Sequence, residues 1–166
     1  NMQGIQGALF QLVNFSVDAS ALMLIAGFIH HRLGSNESIH MGGIATVMPR
    51  LTGFYLLFMA ASLGVPGTNG FPAELMLIVS ALTSHPSLAI SALAGTVFSA
   101  AYMLSFTRRA FMGPATSAAV RQLQDLRPRE LGVLCLFGSL VLCFGLWPDA
   151  VLGSQRAAAE AWLSHL

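Results

Sequence analysis

The chain has 166 residues, 55% of them hydrophobic and 9% charged, with a net charge of +1. A water-soluble domain carries about 25% charged residues, so the composition excludes an ordinary soluble domain and favours a membrane protein. The near-neutral balance gives no electrostatic case for nucleic acid or an acidic partner.

The first apolar span runs from about Ile5 to Ile29 and ends at His30-His31-Arg32. No charged segment with a cleavage site precedes it, so no signal peptide is recognisable. The abrupt start at Asn1 predicts a piece of a longer chain. Within the span, Gln11, Asn14 and Asp18 share one helical face, with Ser16 and Ser20 beside them. A polar stripe of this kind does not face lipid. It is either a hydrogen-bonded packing seam or a chain of groups that holds water and passes protons. The histidines at the span's end read as interface residues, with proton entry as the alternative. The polar stretch 33–50 follows, ending in Met48-Pro49-Arg50.

The second apolar stretch, from Leu51 to about Leu82, is too long for one helix. As a single helix it would extend about 48 Å against a hydrocarbon core of about 30 Å. The run Gly64-Val65-Pro66-Gly67-Thr68-Asn69-Gly70-Phe71-Pro72 divides it. The expected arrangement is half-helices 51–63 and 72–82 around an unwound segment, with Thr68 and Asn69 as caps. Pro72 and Glu74 then fall in the first turn of the second half. Broken membrane helices occur where they line a polar cavity or pack inside protein. Glu74 is therefore the leading candidate for a proton or cation site, and a simple helix-capping carboxylate is the bland alternative.

The linker 83–87 leads to a third span, 88–106, which ends at Arg108-Arg109. A polar segment to Glu130 carries Arg121, Asp125, Arg127 and Arg129. The fourth span is 131–147, and 150–166 is a modest amphipathic tail with Trp162 as an interface anchor. The fold class is all-α: a single polytopic membrane domain, 1–166, of four spans with the second broken. Seven of the eight arginines follow spans one and three, which predicts that loops 33–50 and 107–130 are cytoplasmic. Cys135 and Cys143, two helical turns apart, are too distant for a disulfide. No His/Cys cluster has metal-ligand spacing, and the glycine run lacks the Lys-Ser/Thr of a phosphate loop.

The segments Met41-Gly42-Gly43, Met48-Pro49 and Ala61-Ser62-Leu63-Gly64-Val65-Pro66-Gly67-Thr68-Asn69-Gly70-Phe71-Pro72-Ala73-Glu74 resemble the antiporter-like subunits of respiratory complex I, the M-type (chain 4) members most closely. Gln6-Gly7-Ala8-Leu9-Phe10-Gln11, Ala101-Tyr102 and Arg108-Arg109-Ala110-Phe111-Met112-Gly113-Pro114 are similar to the same family. The resemblance implies the last four of about fourteen helices, hence a C-terminal fragment. It implies a role in proton translocation coupled to NADH:quinone electron transfer, with Glu74 as the terminal proton-exchanging residue. It also implies a bacterial inner (plasma) membrane location. NADH, FMN, iron–sulfur clusters and quinone would be held by partner subunits of the complex, with no cofactor in this chain. One departure stands out. The family's Asn-His-Gly in span one is Asn14-Phe15-Ser16 here, and phenylalanine cannot relay a proton. Asp18, one turn on, is the candidate replacement, with Asn14 beside it in a polar axis. The resemblance leaves two further readings: a subunit of a multi-subunit cation/proton antiporter, and a divergent membrane scaffold that does not pump.

Overall fold

The computed structural model describes residues 2–34, 41–115 and 117–155. The expected anchor Trp162, most of the amphipathic tail, His40 and Arg156 lie outside them. The described residues form helices α1 (Met2–Leu33), α2 (Ile44–Val47), α3 (Pro49–Ser62), α4 (Gly70–Ser84), α5 (Pro86–Ala110), α6 (Ala118–Arg121) and α7 (Pro128–Leu146), with no strand among them. Among the described residues three helices, α1, α5 and α7, are long and apolar enough to cross a membrane, and α4 is a shorter apolar helix.

The buried side of α1 is one stripe: Gly7, Phe10, Asn14, Asp18, Ala21, Ile25 and Ile29. Steps of three and four residues are the helical repeat. Two of the seven positions carry polar side chains where the pattern calls for apolar ones. The lower part of the stripe enters a core of Ala21, Ile25, Ile29, Leu51, Tyr55, Phe58, Phe111 and Leu134. Tyr55 stacks on Phe111 with ring centroids 3.9 Å apart, and its hydroxyl lies 3.0 Å from Thr107 Oγ1. That pair satisfies the one polar tip of the aromatic cluster.

The two polar loops meet at one end of the bundle. The Ala45 amide donates to the Phe111 carbonyl at 2.9 Å. Asp125 reaches across to α3, where its carboxylate accepts from the backbone N–H groups of Arg50 (3.0 Å) and Leu51 (3.2 Å). The helix therefore draws its N-terminal cap from 74 residues away, satisfying donors that its own sequence leaves open. Arg32 at the end of α1 pairs with Glu130 in the first turn of α7, and Glu130 also accepts from the Arg127 amide at 2.8 Å.

α3 stops at Gly64. The Gly64 amide donates to the Ala61 carbonyl and the Val65 amide to the Ala60 carbonyl, with Gly64 at φ +63°. These paired bonds around a left-handed glycine are the Schellman termination. Val65-Pro66-Gly67-Thr68 then turns sharply, with Thr68 N–H donating to the Val65 carbonyl and Gly67 at φ +96°. Proline followed by a positive-φ glycine is the type II pattern.

α4 starts at Gly70, two residues earlier than expected, so Glu74 is its fifth residue and no acid lies in its first turn. The expected caps are also corrected. Asn69, at the N-cap position, makes no side-chain cap bond. Thr68 spends its hydroxyl on the Val65 carbonyl at 2.7 Å. The turn takes that hydroxyl before the helix can use it.

α5 is largely uncovered, exposing Leu88, Ile90, Leu93, Val97, Phe98, Tyr102 and Leu104. Cys135 and Cys143 on α7 are free and exposed.

Candidate functional site

The polar half of the α1 stripe packs against the interruption between α3 and α4. Asn14 Nδ2 donates to the Asn69 carbonyl at 2.7 Å. The Asp18 carboxyl faces the Asn69 side-chain amide without forming a hydrogen bond to it. Asn14, Asp18 and Asn69 are all buried, at 1%, 5% and 0% exposure. Gln11 Oε1, Asn14 Oδ1, Asp18 Oδ1 and both polar side-chain atoms of Asn69 have no hydrogen-bond partner among the described residues. Native interiors leave few such atoms open, so five of them on four neighbouring residues mark this crossing as unusual.

A cavity of about 280 Å³ adjoins the cluster, lined by Gln11, Phe15, Asp18, Ala19, Leu22, Ala61, Ser62, Gly70 and Ser99. It draws its walls from α1, the end of α3, the start of α4 and the middle of α5. Phe15 is 69% exposed yet shares this cavity with Asp18. Ser16 and Ser20 do not join the cluster: both are exposed, and Ser16 bonds back to the Leu12 carbonyl at 2.8 Å.

Glu74 sits apart from that cluster. It is half-buried, and its carboxyl folds back over the α-carbon of Gly64, so closely that a Cβ there would collide with Oε2. Glu74 is thus held at the Schellman turn, while Asn69, five residues earlier, is what meets the α1 stripe. The sequence contained a signal for Asn69, an amide inside an apolar run, but its position beside the turn suggested a cap. The hydroxyls of Ser62 and Ser99 in the cavity wall had no signal at all.

The C-terminal part of α7 closes the other side of the turn. Gly145 lies directly on the backbone of Gly67 and Thr68, leaving no space for a side chain. His30, His31 and His85 are exposed. Among the described residues no three His, Cys, Asp or Glu side chains gather as a metal site.

Residues 1–99 match the family described as NADH:quinone oxidoreductase/Mrp antiporter, TM. The chain is 31% identical over 160 residues to NADH-quinone oxidoreductase subunit M of Rickettsia felis, covering 96% of this chain and 32% of that one. It is 32% identical over 162 residues to the Pseudomonas aeruginosa subunit M, covering 96% and 31%. Among solved structures, a chain of respiratory complex I from Thermus thermophilus superposes with a TM-score of 0.89 at 30% identity, covering 96% of this chain and 33% of that one. A chain of the Mrp complex from Dietzia sp. shares the fold, with a TM-score of 0.85 at 19% identity over 96% and 38%. The chain spans about a third of the length of the relatives it matches. An all-helical architecture with apolar helices, an interrupted helix pair and a matching family signature lead to one assignment: this chain belongs to the NADH:quinone oxidoreductase/Mrp antiporter family of membrane proteins.

Proposed function

We propose that this chain is part of a proton-translocating, antiporter-like membrane subunit of an NADH:quinone oxidoreductase, with Glu74 as a proton-exchanging residue. In this reading Asp18 and Asn14 belong to the polar axis. The observation that carries it is the set of buried, unpartnered polar atoms where the α1 stripe crosses the interrupted helix pair. Polar groups left open beside broken backbone are the features a transport path needs and a scaffold does not. The carboxyl of Glu74 lies apart from that cluster, over Gly64 of the same interruption, and in this reading it is the residue that exchanges the proton.

The membrane arrangement is part of the same reading. α1, the pair α3 and α4, α5 and α7 act as four spans, with the arginine-rich loop end cytoplasmic and the protein in the bacterial inner membrane. Other membrane subunits cover the apolar face of α5. NADH, FMN, iron–sulfur clusters and quinone belong to partner subunits, which carry the redox step.

A second reading has a specific observation behind it. The fold likeness to the Mrp chain, within a family that bears both names, favours a cation/proton antiporter subunit as the alternative.

Proton pumping in vesicles carrying the whole subunit with Glu74→Gln, assayed beside electron transfer, tests the proposal. Loss of pumping in an assembled complex that still transfers electrons is the expected result. Unchanged pumping would sink the role of Glu74 and bring the scaffold reading forward. Cation-dependent proton exchange with no NADH-driven pumping in the unaltered protein would select the antiporter.

A further inference from the structure

Asp18 has the setting of a working acid more fully than Glu74 does. It is 5% exposed, lies in the buried stripe of α1, and lines the cavity together with Gln11, Ser62 and Ser99. Leaving a polar atom buried and unpartnered costs about 1–3 kcal/mol, so the five open atoms call for water. A cavity of about 280 Å³ has room for several waters at roughly 30 Å³ each. Asp18 is the one acidic or basic side chain in its wall. The other titratable groups on the elements around it lie elsewhere: His30, His31 and Arg32 at the far end of α1, Arg50 at the start of α3, Tyr55 against Thr107, Glu74 over Gly64, Tyr102, Arg108 and Arg109 on α5, Arg129 and Glu130 at the start of α7, and the exposed Cys135 and Cys143.

We propose that Asp18 carries a proton at the interruption and that Asn69 is the residue that positions it. This rests on the proton-translocating reading and gives that reading a specific site. Asn69 can serve both states of the acid. When Asp18 is ionised, Asn69 Nδ2 donates to the carboxylate. When Asp18 is protonated, its O–H donates to Asn69 Oδ1. Neither polar atom of the Asn69 side chain is committed to another group among the described residues, so the amide turns over by rotating its own side chain. The backbone does not follow, because Asn14 Nδ2 holds the Asn69 carbonyl. Loading transfers one proton from a protonated water in the cavity to a carboxylate oxygen, forming one O–H bond and breaking another. Unloading is the reverse, and no other bond changes. Asp18 therefore has a proton source on the cavity side and an amide on the side of the interrupted helix.

Infrared difference spectroscopy of the whole complex during turnover tests this, because a protonated carboxylic acid has its own carbonyl stretch. The expected result is a turnover-linked band that vanishes in Asp18→Asn and returns displaced in Asp18→Glu. Pumping per electron should be lost in the first variant and partly restored in the second. In Asn69→Leu the band should remain but titrate at a different pH. A band that survives Asp18→Asn overturns the proposal, as does full pumping without it. If Asp18→Asn does not assemble, Asn69→Leu decides, and an unmoved titration is fatal. Glu74→Gln in parallel separates the two claims: an Asp18 band that responds while Glu74→Gln still pumps removes Glu74 and leaves Asp18 standing.

Discussion

The loop end of the bundle and the interruption between α3 and α4 are both polar regions inside an apolar protein, and they treat their polar groups in opposite ways. At the loop end, Asp125 satisfies two amides of α3, and Arg32 and Glu130 neutralise each other. At the interruption, Asn14, Asp18 and Asn69 are buried, and they and the half-buried Gln11 have buried atoms with no partner among the described residues. A closed network rigidifies and stabilises, whereas an open one costs stability and is kept where something else uses it. The loop end thus reads as architecture, and the interruption, on the function proposed above, as machinery.

That contrast breaks most readily at the turn itself. Gly64→Val places a β-branched residue at a positive φ and drives a side chain into the Glu74 carboxyl. The expected cost is about 3 kcal/mol or more from backbone strain and the collision together, seen as loss of assembled subunit in membranes. Arg32→Gln leaves Glu130 without its counter-charge. The two side chains are 11% and 17% exposed, so about 2 kcal/mol is expected, between the values for exposed and fully buried pairs. Thermal unfolding of the purified complex reads this, and Glu130→Gln in the same background should add little. Asp125→Ala removes a cap from α3 and should cost about 1 kcal/mol, a smaller lowering of Tm with pumping per electron unchanged. Asp18→Asn should shift Tm least, because it swaps a buried acid for a neutral isostere while abolishing pumping. If Asp18→Asn instead destabilised the protein as much as Arg32→Gln, the two regions would be alike and the contrast would fail.

Much of this was legible in the sequence. The long apolar helices α1, α5 and α7, the glycine-proline interruption and the common face of Gln11, Asn14 and Asp18 follow from local periodicity and turn chemistry, which act over a few residues. What could not be read depends on partners distant in the chain. Nothing near Asp125 says that its carboxylate ends on Arg50 and Leu51. Nothing near Asn14 says that it meets Asn69, 55 residues on. The start of α4 moved to Gly70, and that shift of two residues took Glu74 out of the first turn. The expected cap Thr68 was lost to a competing bond within the turn.

Gly145 rests on the peptide between Gly67 and Thr68 with no side chain in the contact. Backbone seated on backbone has little give, so a side chain at position 145 could enter only by displacing the turn. The same helix is fastened at its other end, where Glu130 grips Arg32. Fifteen residues of helix, about 22 Å long, connect the two points. α7 is therefore tied at both ends: its first turn to the end of α1 through Arg32, and its last turn to the backbone of Gly67 and Thr68, next to Asn69.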